Sequence, residues 1–247
     1  MLVKLDLLRN GIDRLGLHLE KEQLLLFETY CQELIIWNNK FNLTSIESEE
    51  EIQTRHFLDS LNLSKFIPDD FDSDCSIIDI GSGGGFPGLP LKILLPDIKL
   101  TLVESIGKKA NFLKHVVDVL CLQGVQVCQE RAETLAHNFS MREMFDLVVS
   151  RAVADLSVLS EITLPFCRIG GKVMALKGLD LSSELERSTR SIMLMGGSLQ
   201  DVVVVDLNQI NTARSVVILD KKTVSPNNYP RKAGIPAKRP ITNLNEL

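Results

Sequence analysis

The sequence predicts an α/β protein in which a mostly parallel seven-stranded sheet, with antiparallel pairing at one edge, follows an N-terminal helical cap. Three observations predict it. From Cys75 onward, short apolar runs rich in β-branched residues alternate with helix-like segments. A glycine cluster follows the first run directly, and the last two runs succeed each other with no room for a crossover helix. Strands that are apolar throughout are buried on both faces, which requires helices on either side of a parallel sheet.

The cap is assigned to residues 1–72 and the sheet domain, with a basic C-terminal tail, to 73–247. Residues 1–66 read as helical: Leu24, Phe27, Cys31, Leu34 and Ile35 recur at steps of three and four and form one apolar face. Pro68, Asp69, Asp70, Phe71, Asp72, Ser73 and Asp74 form an acidic, turn-rich boundary. The strands are expected at Ile77–Ile80, Leu100–Glu104, Val125–Gln129, Phe145–Ser150, Lys172–Leu176, Val202–Asp206 and Ser215–Leu219. The last two should pair antiparallel at the sheet edge, a departure from a plain dinucleotide-binding fold.

Composition narrows the class. The chain has 247 residues, 45% of them hydrophobic and 24% charged, enough for a full core. Its apolar runs are interrupted well before the roughly 20 residues that cross a bilayer, and no leader pattern stands at the N-terminus, so a soluble protein without membrane contact is expected. Five scattered cysteines lack a C-x-x-C pair, which argues against a disulfide framework and a metal site and for a reducing cytoplasm. A net charge of -5 disfavours nucleic-acid binding over the whole surface. The distribution is uneven, because Lys221, Lys222, Arg231, Lys232, Lys238 and Arg239 lie in an acid-free stretch near the C-terminus. Either that stretch is a local RNA-docking face or it is an ordinary solvated one.

The chemistry gathers at the strand C-termini. Asp79-Ile80-Gly81-Ser82-Gly83-Gly84-Gly85 closes the first strand, and glycine there lets backbone approach a ligand closely. Gly83, Gly85 and Gly88 match the phosphate-cradling G-x-G-x-x-G, but the tight-turn glycine should follow the strand at once. That residue is Gly81, which puts the bulky Phe86 at the third position and disfavours a pyrophosphate. Glu104 ends the second strand 23 residues after Gly81, where a carboxylate accepts from both ribose hydroxyls. Ser105 and Ile106 follow it. Arg131, Ala132 and Glu133 follow the third strand, on the side where adenine would lie, and Ser150 and Arg151 end the fourth beside a substrate mouth. Each residue alone has a plainer reading: Asp79 as a helix cap, the glycines as a turn, Glu104 as a solvated strand end. Their order along successive strands favours an adenosine-type cofactor site.

Absent motifs restrict the reaction. The fourth strand continues into Ser150-Arg151-Ala152-Val153, not the Asn/Asp-Pro-Pro-aromatic motif of exocyclic-amine methylation. Cys167, in Pro165-Phe166-Cys167, reads as a small core residue and not as a nucleophile. A ring nitrogen with a free lone pair needs alignment and desolvation more than a base. His56 reads equally as a substrate contact or as a helix-surface residue satisfied by Asp59, and Trp37 as core. His18, His115 and His137 read as surface residues.

Phe41-Asn42-Leu43-Thr44-Ser45, Arg55 to Leu61, Asp79 to Pro90 with its Gly-Phe-Pro-Gly-Leu-Pro, Glu104-Ser105 through Lys108-Lys109, Arg131-Ala132-Glu133, Phe145 to Val153 and Tyr229-Pro230-Arg231-Lys232 together resemble the RsmG family, also called glucose-inhibited division protein B. The resemblance spans nearly the whole chain. It implies a Rossmann-like class I methyltransferase fold and S-adenosylmethionine as cofactor, with the loop around Asp79, Gly81, Gly83 and Phe86, then Glu104, Ser105, Ile106, Ala132, Glu133 and Arg151, lining its site. It also implies methylation of N7 of guanine 527 in the 530 loop of 16S rRNA. No catalytic residue is assigned, and Arg151 is the positioning candidate. Arg55, Arg231, Lys232, Lys238 and Arg239 are the candidate RNA contacts, 16S rRNA or a small-subunit particle is the expected partner, and a monomer is expected. An NAD-dependent oxidoreductase and a non-catalytic S-adenosylmethionine-binding regulator are the alternatives.

Overall fold

A computed structural model describes residues 4–46, 48–67, 74–151, 154–205 and 213–242. The acidic boundary at 68–73, the pair Ala152-Val153 and the expected strand end Asp206 lie outside the described residues.

Seven strands form one sheet in the order β3-β2-β1-β4-β5-β7-β6. They are β1 (Ser76–Ile80), β2 (Lys99–Val103), β3 (Val125–Cys128), β4 (Phe145–Arg151), β5 (Cys167–Lys177), β6 (Gly197–Val205) and β7 (Arg214–Lys221). The first five pair in parallel. The antiparallel pairing expected at the edge is present, and β7 is the reversed strand, inserted between β5 and β6. This follows from the short β6–β7 connection, which only a hairpin-type reversal can satisfy. The expected β6 is longer on its N-terminal side, where Ser198, Gln200 and Asp201 give the edge strand a polar face that hid it from an apolar-run reading. β5 likewise begins earlier, at Cys167, which is fully buried as the core reading of that residue requires.

The N-terminal helices are α1 (Asp6–Leu15), α2 (Lys21–Phe41) and a continuous helical run over 49–66, here α3. The central part of α3, Ile52–Leu58, is wound as a π-helix. Helix α2 buries Leu24, Phe27, Tyr30, Cys31 and Leu34, the stripe its spacing predicts, and Ile35 packs partly buried against it. Those residues share one core with Leu147 and Met174 of the sheet and with Leu89 and Phe112 of the helices packed on it, so α1–α3 cover one sheet face. A second core, built on Ile78, Ile80, Val148 and Val173, fills the opposite face.

The remaining helices are α4 (Gly88–Leu94), α5 (Gly107–Val119), α6 (Ala132–Leu135), α7 (Leu156–Thr163), α8 (Ser182–Leu194) and α9 (Ile235–Lys238). Helices α4, α5 and α6 follow the C-terminal ends of β1, β2 and β3, and all three connections face the same sheet edge. Among the described residues, no helix is long and apolar enough to cross a membrane.

Candidate functional site

The loop after β1 is fixed by three independent anchors. Gly81, Gly83 and Gly85 have φ of 73°, 59° and 98°, a region that costs other residues strain. The Gly81 and Ser82 amides both donate to the Val103 carbonyl, tying the loop to β2. Below it, Asp79 Oδ2 accepts from the Gly88 amide at 2.9 Å. From α2, the Tyr30 hydroxyl donates to the Gly84 carbonyl. Gly85 could carry no side chain, because a Cβ there would lie 2.4 Å from Leu89 and 2.5 Å from the Tyr30 hydroxyl.

Asp79 is fully buried, and its Oδ1 has no hydrogen-bond partner. Burial raises its pKa to about 7, against the lowering pull of the Gly88 amide and Arg151. Glu104 accepts from Gly83 N at 3.0 Å through one oxygen and from Ile106 N at 2.7 Å through the other. It therefore staples two loops together, a role its position at a strand end did not reveal, and each oxygen keeps a further lone pair.

Two cavities meet at Gly81, Glu104, Ser105 and Ala154. The smaller, about 190 Å³, is walled by Glu104, Arg131, Ala132, Glu133, Val158, Ile162 and Ala237. The larger, about 860 Å³, opens between Leu43–Ile46, the glycine loop with Gly83 and Phe86, Ile106 and Arg151. Among the described residues its lining includes Arg55, Lys109, Arg151, Lys177 and Arg214 against one carboxylate, Glu104, so cations dominate the mouth of an otherwise acidic protein. The sequence-predicted residues Gly81, Gly83, Phe86, Glu104, Ser105, Ile106, Ala132, Glu133 and Arg151 thus converge on one cleft. Asp79 lies beneath it.

His56 is not the helix-surface residue satisfied by Asp59, and it lines the larger cavity, where the alternative expectation of a substrate contact would put it. It is 5% exposed on the π-helical turn, stacked on Phe86 with ring centres 4.3 Å apart. Its Nδ1 accepts from Arg151 Nη2 at 2.8 Å, which assigns the proton to Nε2, facing Thr44 Oγ1 at 3.2 Å. Burial first, then the Arg151 charge, lowers its pKa to about 3. Asp59 serves the arginines instead: Arg151 Nη1 lies 3.4 Å and Arg214 Nε 3.7 Å from its carboxylate. Arg151 also donates to the Arg55 carbonyl at 2.8 Å and sits 4.8 Å above the Phe86 ring. Arg55 itself is paired with Glu51 at 2.8 Å while lining the mouth.

The basic tail requires a correction. Lys221 is 1% exposed and donates to the Leu164 and Met195 carbonyls, each at 3.0 Å, with Glu143 at 3.1 Å. Arg231 is committed to Glu161, a fully buried carboxylate, through its backbone amide, Nε and Nη2 at 2.8, 2.9 and 2.6 Å. Neither presents a free charge to RNA, because each is the partner that a buried acid or carbonyl needs. Lys222 is exposed beside Asp220, and Lys232, Lys238 and Arg239 are exposed. Of the other residues weighed in the sequence, His115 bonds Glu33, His137 faces the Pro230 carbonyl, and Trp37 packs on Phe41 and Phe112. Tyr30 and Arg214 were missed. Tyr30 had a legible signal, since a hydroxyl on the apolar stripe of α2 needs a buried partner.

The sheet order, the reversed β7 and the acid-glycine loop define a Rossmann-like methyltransferase fold. Solved structures agree: the precorrin-6y C5,15-methyltransferase of Geobacter metallireducens aligns with a TM-score of 0.51 and 14% identity, over 67% of this chain and 88% of that one. A variant of MtNAS in complex with S-adenosylmethionine aligns with a TM-score of 0.55 and 19% identity, over 89% and 78%. The profile of the family described as rRNA small subunit methyltransferase G matches residues 23–214. Curated relatives bearing that name include proteins of Roseiflexus castenholzii, 48% identical over 92% of this chain and 95% of the relative, and of Dehalococcoides mccartyi, 46% identical over 94% and 97%. The chain belongs to the rRNA small subunit methyltransferase G family.

Proposed function

We propose that this protein transfers a methyl group from S-adenosylmethionine to N7 of guanine 527 in the 530 loop of 16S rRNA. The observation that carries the reading is the two-lobed cleft, a small acidic slot joined at Gly81 and Glu104 to a wide cationic mouth. The residues fit the cofactor. Gly81 and Gly83 form a cradle without Cβ atoms, Glu104 retains acceptor capacity for ribose hydroxyls, and Glu133 and the Ala132 backbone border the slot for adenine. A dinucleotide fits worse, because Phe86 is packed between Tyr30 and His56 where close approach to a pyrophosphate would be needed.

When bound, S-adenosylmethionine supplies a methyl group on a positively charged sulfur. Guanine N7 presents its lone pair without losing a proton, so the chain's residues need only align and desolvate it. Arg151, clamped by His56, Asp59 and the Arg55 carbonyl beside Phe86, is the positioning group at the mouth. RNA must present the base unstacked, since the A-form major groove is too narrow for protein to reach N7 within a helix. Arg55, Lys109 and Arg214 would meet the flanking phosphates, and Lys232, Lys238 and Arg239 would extend that contact. In this reading residues 1–72 act as a cap over the body at 73–247. The protein works as a cytoplasmic monomer on 16S rRNA or a small-subunit particle.

Mass mapping of 16S rRNA from a deletion strain, with and without the gene restored, tests the assignment. Loss of the 530-loop methyl and its return are expected. Persistent methylation of that guanine without the gene would remove the substrate assignment, and tight binding of NADH with no binding of S-adenosylhomocysteine would remove the cofactor.

A further inference from the structure

The C-terminal segment that follows β7 runs as a strap over α6 and α7, and its fastenings lead toward the small cavity. At its root are buried Lys221 and Ser225, whose Oγ accepts from Lys221 Nζ at 2.5 Å. Further on, the Arg142 guanidinium donates to the Ser225, Pro226 and Tyr229 carbonyls at 2.9, 3.1 and 2.9 Å. Arg231 then closes on buried Glu161. Beyond this point Ile241 still packs against the second core, but that contact alone does not account for the strap's path. Instead the Gly234 amide donates to Glu133 Oε1 at 2.9 Å, and three residues later Ala237 stands in the wall of the slot with Val158 and Ile162.

We propose that the strap is the outer wall of the adenine end of the cofactor site, with Arg231 as the positioning residue that seats Gly234 against Glu133 and Ala237 against the slot. The proposal rests on the cofactor reading above. The Gly234 amide holds Glu133 by one oxygen and leaves the other for an exocyclic amine. The Arg231–Glu161 pair is bidentate and reinforced by a backbone amide, so it fixes the strap's position along the chain as well as its attachment. Two exposed trypsin targets, Lys232 and Lys238, bracket the segment.

The test uses the full chain and calorimetry with S-adenosylhomocysteine and 5′-methylthioadenosine. Ala237→Phe adds bulk to the slot without touching any fastening and should weaken both ligands about tenfold or more, with thermal midpoint and RNA affinity unchanged. Arg231→Lys keeps the charge but loses the fork, and should weaken both ligands several-fold in parallel, because the loss lies at the adenosine end they share. Saturating S-adenosylhomocysteine should slow tryptic cleavage after Lys232 and Lys238 in the wild-type protein. Wild-type affinity in folded Ala237→Phe, or cleavage at Lys238 indifferent to ligand, would overturn the strap's role; if Arg231→Lys fails to fold, Ala237→Phe alone decides. A wild-type protein that binds neither ligand would instead bring down the cofactor reading, and the strap proposal with it.

Discussion

The two ends of the cleft are closed by opposite ends of the chain, each through a part-buried arginine, and the two arginines are held differently. Arg231 meets Glu161 through a short, bidentate, charge-matched fork. Arg151 has no such match: its nearest acid is 3.4 Å away and shared with Arg214, and its other partners are a neutral imidazole, a carbonyl and an aromatic face. Burial, the largest influence, lowers the Arg151 pKa, whereas the hydrogen bonds that Arg231 donates to Glu161 raise that of Arg231. Full neutralisation suits a clamp. Partial neutralisation suits a group that must still attract an electron-rich ligand at the mouth.

Removing Arg151 should have the largest effect. Arg151→Met leaves the buried Asp59 carboxylate with Arg214 alone and the His56 Nδ1 without a donor, and should cost about 3 kcal/mol or more in urea unfolding. Adding Asp59→Asn should restore part of that loss without restoring RNA methylation, and full restoration of both would show that Arg151 is only structural.

Next in size is Gly85→Ala, which combines a φ of 98° with overlap against Leu89 and Tyr30. It should destabilise by about 2 kcal/mol and abolish cofactor binding. Wild-type S-adenosylhomocysteine affinity in that variant would mean that the loop is not the cradle.

Stability against pH separates two of the buried titrating groups, His56 and Asp79. His56 has its folded pKa lowered to about 3, so its stabilising effect is present above about 6.5 and lost as pH falls toward 3. Asp79 has its pKa raised to about 7, so its effect is present below the ordinary carboxylate value of 3.8 and lost as pH rises through 7. His56→Gln should remove only the first dependence, flattening a slope of at most about 1.4 kcal/mol per pH unit. Urea midpoints of both proteins across that range measure it, and parallel profiles would show that His56 carries no such linkage.

Tyr30→Phe should be milder, about 1 kcal/mol, because it deletes one hydrogen bond and leaves the ring stack with Phe86 intact. S-adenosylhomocysteine should bind a few-fold more weakly, and unchanged affinity would dissociate α2 from the loop. Smallest of all, neutralising Lys232, Lys238 and Arg239 together should lower the salt slope of RNA affinity by about one per lost phosphate contact. An unaltered slope would leave RNA docking to the mouth alone.

What the sequence disclosed was local. Strand positions, the α2 stripe and the Asp79–Gly85 loop each follow from neighbours within one or two turns, so periodicity and glycine placement sufficed. The partners of Arg151, 92 to 96 residues earlier, and of Arg231, 70 residues earlier, are set only by tertiary packing. A run of basic residues consequently looked like a surface, although Lys221 is buried and Arg231 is a brace. His56 illustrates the same limit, since helical spacing pointed to Asp59 while the π-helical turn directs its ring toward Phe86 and Arg151.

The single core shared by α1–α3 and the sheet has a consequence for the order of events during synthesis. These helices leave the ribosome before the sheet, yet the surfaces that bury Phe27, Tyr30 and Phe57 include Phe86 and Phe112, and the Arg55 carbonyl waits for Arg151. Until Phe86 and Phe112 have emerged, the nascent protein displays an aromatic stripe closed only on itself through Phe27, Tyr30 and Phe57, the kind of surface that chaperones engage. The three helices are thus made before the sheet that seals them.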